Sequence, residues 1–162
     1  AVNPAGKVPA MQDGDLILTE SAAILTYLGD KFPEKGLVPA AGTSERGLFD
    51  QWAYFALTEL EQALWTMGKH RFALPEEHRV PKILETVAWE FQQALKLLAL
   101  GLGENHYILG EQFTGADILL AHTLIWGINF KQNVEQQSLV GYVQRCRDRG
   151  ALARAITREE RA

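Results

Sequence analysis

The first thirty residues alternate between short apolar runs and polar turns, a pattern typical of strands. A segment around Val8 and Pro9 is pushed toward extended backbone by the proline. Residues 12–15 form a polar turn with a glycine where positive φ is needed, and residues 16–18 are a short β-leaning run. Glu20 and Ser21 then open a segment whose apolar residues recur at helical spacing. The pattern therefore predicts strand, turn, strand and helix.

No strand pattern recurs after residue 43, and the apolar spacing becomes helical throughout. One long amphipathic stripe covers residues 49–67, and we expect its helix to end near Gly68. The next stripe covers residues 83–98 and should be closed by Gly101 or Gly103. Helices with such broad apolar faces must bury them against each other, so the sequence predicts an all-α bundle.

Thr114 and Asp117 have the spacing of an N-terminal capping box, with aspartate in the place where glutamate or glutamine is usual. Residues 118–126 are apolar nearly all round, which predicts a helix buried at the centre of the bundle. A last amphipathic stretch over residues 139–146 predicts one more packed helix, followed by residues 151–156. Thr114 and Asp117 are therefore expected to be structural.

The start of the first helix is a candidate anion site. A helix N-terminus offers free N–H groups and a partial positive charge, which suit a carboxylate or a phosphate. Ser21 stands at this position, next to Glu20. The alternative interpretation is that Pro9 is only an edge-strand proline and Ser21 only an N-cap.

Three stretches carry a resemblance to a known family: NPAGKVPAM at residues 3–11, DGDLILTESAAI at 13–24 and FTGADILLAHTL at 113–124. In this order they closely resemble the cytosolic glutathione S-transferases of bacterial type, and the likeness runs from residue 3 to about residue 155. The resemblance implies a glutathione site. Pro9 would follow a cis peptide bond, the backbone of Val8 would pair with the cysteinyl part of glutathione, and Glu20 and Ser21 would hold the γ-glutamyl end. Lys7 would meet the glycyl carboxylate.

The same resemblance implies the fold and its division. Residues 1–30 would be the C-terminal half (β-β-α) of a thioredoxin-like domain, residues 31–42 a linker, and residues 43–162 an all-α domain. The fold class is thus an α+β remnant followed by a helical bundle. The other half of the thioredoxin-like domain would carry the Tyr, Ser or Cys that activates the thiol, so we assign no catalytic residue here. We expect the 162-residue chain alone to have little transferase activity.

Two functions follow from the resemblance. The first is transfer of glutathione to a small hydrophobic electrophile by a homodimer, with conjugation, dehalogenation, peroxide reduction and isomerisation all open. The second is a non-catalytic interaction module, because the fold alone does not settle activity. Glu20 and Ser21 favour the enzyme, since a scaffold needs no γ-glutamyl site. The resemblance places the electrophile pocket partly on the first long helix, without identifying its residues.

The composition limits the partners and the cellular compartment that we expect for this protein. The formal net charge of −4 argues against nucleic acid as a partner. Cys146 is the single cysteine, which excludes an intramolecular disulfide and favours a reducing cytoplasm. No apolar run is long enough to span a membrane, and the four histidines lack the spacing of metal ligands. We therefore expect a cytoplasmic protein without a metal.

Overall fold

The computed structural model describes residues 3–160 and opens with the predicted hairpin. Strand β1 (Ala10–Asp13) pairs antiparallel with β2 (Leu16–Thr19), and Ala10 lies opposite Thr19. Gly14 takes the positive φ that the tight turn needs, at 59°. Pro9 directly precedes β1, and its peptide bond to Val8 is cis, as predicted.

Helix α1 (Ser21–Lys31) follows β2 and is fixed to the turn end of the hairpin. The Asp13 carboxylate accepts a hydrogen bond from the Tyr27 hydroxyl at 2.7 Å and forms an ion pair with Lys31. The hydrogen bond from Lys31, and then that from Tyr27, lowers the pKa of Asp13. The carboxylate is therefore ionised at neutral pH and joins the turn to the C-terminal end of α1.

The rest of the chain is helical, as predicted. Its elements are α2 (Ser44–Phe55), α3 (Gln62–Gly68), α4 (Ile83–Leu102), α5 (Gly115–Asn129), α6 (Gln137–Arg147) and α7 (Gly150–Glu159). Helix α5 is the centre of the bundle: nine of its fifteen residues are buried. No helix within residues 3–160 is long and apolar enough to cross a membrane.

The long helix that contains α2 and α3 does not end near Gly68, so this prediction is wrong. Wide π-type turns over Ala56–Glu61 and Lys69–Ala73 join the segments into one helical rod from Ser44 to Ala73. A Cβ atom at Gly68 would lie 3.5 Å from the Phe72 ring and 3.6 Å from the Phe130 ring. These are ordinary contact distances, so a side chain would fit at residue 68; the backbone stays helical through Gly68, and the helix ends before Pro75.

Gly103, and not Gly101, closes α4. Gly103 caps the helix with a φ of 53°. Gly101 lies inside α4 against Trp52, whose ring would stand 2.1 Å from an added Cβ atom. The sequence predicts that one of these two glycines ends the helix. Gly103 does so, whereas Gly101 allows α2 and α4 to pack closely against each other.

The predicted capping box is present, and it is the centre of a buried network. The Asp117 carboxylate is fully buried and accepts hydrogen bonds from the backbone N–H groups of Thr114 at 2.7 Å and Ile108 at 2.8 Å. The Tyr142 hydroxyl of α6 donates to the same carboxylate at 2.8 Å. Burial, and then the nearby Asp117 charge, raises the pKa of Tyr142 well above its usual value, so its hydroxyl stays a donor. One carboxylate thus joins α5, α6 and the loop before α5.

The segment between α1 and α2 is docked to the bundle. Val38 is buried against Gly29, and the Gly115 N–H donates to the Leu37 carbonyl at 2.8 Å. Arg46 of α2 contacts both carboxylate oxygens of Asp30 at 2.9 and 3.2 Å. The hairpin unit is therefore packed on the bundle, while the boundaries at residues 30 and 42 stay a prediction.

The Cys146 thiol should be unreactive in the folded protein. Its residue is 6% exposed, and burial, followed by the Asp117 charge, raises its pKa to about 12. Because the thiolate is the reactive form, we expect iodoacetamide at pH 8 to label Cys146 only after urea unfolds the chain. Mass spectrometry of the intact protein measures the label, and rapid stoichiometric labelling without urea would contradict this account.

Candidate functional site

The residues predicted to bind a ligand gather at one end of the hairpin. Since Ala10 pairs with Thr19 in antiparallel register, continuing the two chains past this pair brings Pro9 and Val8 to the end where α1 begins. Val8 is 92% exposed, although it is apolar. The turn at the other end is held by Asp13, so this end is the open one.

Glu20 has a strained backbone. Its φ is 68° and its ψ is 117°, in a region that L-residues other than glycine rarely adopt. Such a residue costs about 1–3 kcal/mol and typically marks a functional site. Among residues 3–160 the Glu20 carboxylate has no hydrogen-bond partner, and its backbone carbonyl accepts the first helical bond, from Ile24 at 3.0 Å.

Glu20 and not Ser21 occupies the N-cap position of α1, so the interpretation of Ser21 as a simple N-cap is wrong. Ser21 is the first helical residue and is half-buried. The N–H groups of residues 21–23 precede the first helical bond and have no acceptor within α1. The first turn of α1 contains no acidic residue that would neutralise its positive potential. This helix start is therefore suited to an external carboxylate.

Lys7 has a contact that sequence reasoning missed. Its ammonium nitrogen lies 5.3 Å from the ring centroid of Trp65 in α3. This contact crosses from the loop before the hairpin to the helical bundle. The sequence offers only one signal for this contact, the aromatic side chain of Trp65. Helical spacing alone does not show which side chain of the helix reaches the loop.

Trp65 is the first ring of an aromatic cluster on the bundle surface. Its centroid is 6.5 Å from that of Trp126, which is 5.5 Å from Phe130, and Phe130 is 6.1 Å from Phe72. Phe72 is 61% exposed and Trp65 is 36% exposed. The cluster of Trp65, Phe72, Trp126 and Phe130 is thus an apolar surface that begins beside Lys7.

Glu61, in the wide turns after α2, lies within electrostatic reach of Glu20. The pKa of the Glu61 carboxyl is raised overall, mainly by burial. The charge of Glu20 adds to this rise, whereas the His122 side chain opposes it. No motif in the sequence marks Glu61. Within the described range, no group of His, Cys, Asp and Glu side chains is placed to hold a metal ion.

Comparison with known families agrees with this geometry. The family model described as "Glutathione S-transferase, C-terminal domain" matches residues 58–149, and "Glutathione S-transferase, N-terminal domain" matches residues 1–36. The chain belongs to the glutathione S-transferase family, a family of transferases.

Individual relatives support the same assignment. The chain is 31% identical over 161 residues to glutathione S-transferase GstA of Escherichia coli O157:H7, covering 98% of this chain and 77% of that relative. It spans 50% to 61% of the length of several further curated relatives.

Two solved structures share the fold. The ternary complex of BphK, a bacterial GST, has a TM-score of 0.88 at 32% identity and covers 98% of this chain and 77% of its own. A sphingomonad glutathione S-transferase complexed with glutathione has a TM-score of 0.85 at 29% identity, with coverage of 99% and 78%. The α+β remnant followed by a helical domain is therefore confirmed as a glutathione S-transferase fold.

Proposed function

We propose that the chain binds glutathione at the open end of the hairpin and serves its transfer to a small hydrophobic electrophile. The observation that carries this proposal is the start of α1. The Ser21 hydroxyl and the N–H groups of residues 21–23 offer donors there, and among residues 3–160 the carboxylate of the strained Glu20 beside them has no hydrogen-bond partner. A site that binds a carboxylate and an ammonium side by side suits a ligand that carries both on one carbon, as the α-amino acid end of a γ-glutamyl group does.

The placement of the tripeptide follows from these groups. The γ-glutamyl carboxylate would accept from the hydroxyl and the N–H of Ser21, while Glu20 would accept from the α-ammonium. The cysteinyl backbone would pair with that of Val8, beside Pro9, in the manner of an added strand. The ammonium of Lys7 would meet the glycyl carboxylate. The sphingomonad relative is complexed with glutathione, which supports glutathione as the ligand.

The chemistry that this site serves is attack by sulfur. A thiolate is the nucleophilic form of glutathione, and binding it beside an electrophile adds proximity. In conjugation, the sulfur electron pair forms a bond to the electrophilic carbon; either a leaving group departs from that carbon with its bonding pair, or the π electrons of a multiple bond move to the neighbouring atom, which then takes a proton. We assign the lowering of the thiol pKa to no residue of this chain.

Calorimetric titration with two peptides tests the proposed site. Glutathione contains the γ-glutamyl residue, whereas cysteinylglycine lacks it and keeps the thiol and the glycyl carboxylate. We expect glutathione to bind the chain at least about tenfold more tightly, because a charge-assisted hydrogen bond contributes about 1.5–3 kcal/mol. Equal affinities would refute the γ-glutamyl site. No binding of either peptide would favour the non-catalytic interaction module.

We also propose that the protein is a homodimer in the cytoplasm. A groove of about 740 Å³ lies between β2 and α1 on one side and α2 on the other. Its apolar rim includes Leu16, which is 40% exposed, and Tyr54, which is 64% exposed. Isolated exposed apolar residues are common on protein surfaces, but these side chains lie together around one groove. A second copy of the chain would cover them. The single buried cysteine suits a reducing compartment.

Replacement of Tyr54 by glutamate should separate the subunits, since it places a charge on the apolar rim that the second copy would cover. Analytical ultracentrifugation should show a dimer for the unchanged chain and a monomer for Tyr54→Glu. Trp89→Glu is the matched control, because Trp89 is equally exposed, at 63%, but lies on α4. A monomeric unchanged chain, or a Tyr54→Glu variant that stays dimeric, would refute this interface.

A further inference from the structure

Lys7 stands between the glutathione residues and the helical bundle. It directly precedes Val8 and Pro9 in the chain, and its ammonium lies over the ring of Trp65 at 5.3 Å. Within the described part of the chain Lys7 forms no ion pair with a carboxylate. Its charge is therefore paired only with an aromatic face that is itself 36% exposed.

Two partners compete for this ammonium once glutathione arrives. A charge-assisted hydrogen bond to the glycyl carboxylate is stronger than an exposed cation–π contact, because a full opposite charge replaces the quadrupole of a ring. The flexible side chain of Lys7 allows either position. Bound glutathione would therefore draw the ammonium away from Trp65.

We infer that Lys7 couples the two halves of the site: in the free protein it covers the face of Trp65, and on glutathione binding it leaves that face open for a flat aromatic electrophile. This inference rests on the proposed function and extends it to the electrophile class and to the order of binding. Glutathione binds first, and the electrophile then stacks on the uncovered indole.

The neighbouring rings support an aromatic electrophile. Trp65 is continuous with Trp126 and Phe130 through ring contacts of 6.5 and 5.5 Å. The Trp65 ring packs against Trp126 at an angle of 59° between the ring planes, and the face of Trp65 that Lys7 covers offers a flat surface once the ammonium leaves it. Flat aromatic molecules bind such a surface by offset stacking, which aliphatic electrophiles cannot do.

The test is the glutathione affinity of a Trp65→Leu variant, measured by calorimetry. Without the ring, Lys7 no longer gives up a contact when it meets the carboxylate. We therefore expect Trp65→Leu to bind glutathione about two- to fivefold more tightly than the unchanged chain. In a Lys7→Met background the same replacement should leave the glutathione affinity unchanged. Trp89→Leu, which removes an exposed tryptophan outside the cluster, is the control and should have no effect.

A second measurement covers the electrophile. A glutathione conjugate with a dinitrophenyl group on sulfur should bind the unchanged chain more tightly than glutathione does, and Trp65→Leu should bring this ratio close to one. The midpoint of thermal unfolding establishes that each variant is folded.

The outcomes separate the two proposals. The coupling is overturned if folded Trp65→Leu binds glutathione no more tightly than the unchanged chain, or if this variant keeps the affinity ratio of conjugate to glutathione. The proposed function survives either result as long as Ser21→Ala weakens glutathione binding. If the unchanged chain binds no glutathione, the proposed function fails, and the coupling fails with it.

Discussion

Replacement of Asp117 by alanine is expected to lower the free energy of unfolding by about 3–5 kcal/mol. The carboxylate is fully buried and accepts from Thr114, Ile108 and Tyr142 at 2.7 to 2.8 Å. Alanine leaves these three donors buried without an acceptor, and each unsatisfied group costs about 1–3 kcal/mol. The midpoint of thermal unfolding should fall by about 10 °C, measured by circular dichroism.

Two further replacements should lower the free energy of unfolding by less than Asp117→Ala does. Thr114→Ala removes only the hydroxyl that donates to Asp117 at 3.1 Å, so its cost should be about 1–2 kcal/mol. Asp148→Ala is the matched control, because this aspartate directly after α6 is exposed and, within residues 3–160, its side chain accepts a hydrogen bond only from Gln144. Its cost should stay within about 0.5 kcal/mol. Equal midpoints for Asp117→Ala and Asp148→Ala would show that the buried network does not stabilise the fold.

Replacement of Ser21 by alanine is expected to weaken glutathione binding about tenfold or more. The hydroxyl of Ser21 has no partner among residues 3–160, and it stands at the helix start that would receive the γ-glutamyl carboxylate. A hydrogen bond to a charged group contributes about 1.5–3 kcal/mol. For the same reason the fold should lose little stability, since no intramolecular bond of the side chain is removed.

Ser44→Ala is the control for this variant, because Ser44 is the first residue of α2 just as Ser21 is the first residue of α1. Calorimetry should give an unchanged glutathione dissociation constant for Ser44→Ala. If both variants bind glutathione as the unchanged chain does, Ser21 has no part in the site and the alternative of an interaction module gains support.

The hairpin, α1 and the core of the bundle could be predicted because their causes are local. Gly14 marks a turn that needs positive φ, and the apolar positions of residues 118–126 predict a helix buried on all sides. The capping box could be predicted for the same reason: Thr114 and Asp117 are three residues apart, and the bond between them depends on nothing distant.

The remaining features depend on contacts between distant parts of the chain. A glycine near the end of an apolar stripe is typical of a helix end, but here Gly68 keeps helical backbone angles and the helix continues to Ala73. The φ of Glu20 cannot be predicted from a residue type that rarely adopts it. The contact of Lys7 with Trp65 joins two segments whose approach is set only by the tertiary fold.

We propose that glutathione binds where the hairpin meets the first turn of α1. The most direct measurement is the change in backbone amide chemical shifts of ¹⁵N-labelled chain on titration with glutathione. The amides of Val8 and of residues 20–22 should shift most and saturate together, because they surround the cysteinyl backbone and the γ-glutamyl carboxylate. Saturable shifts confined to other elements, such as α4 or α6, would contradict the account.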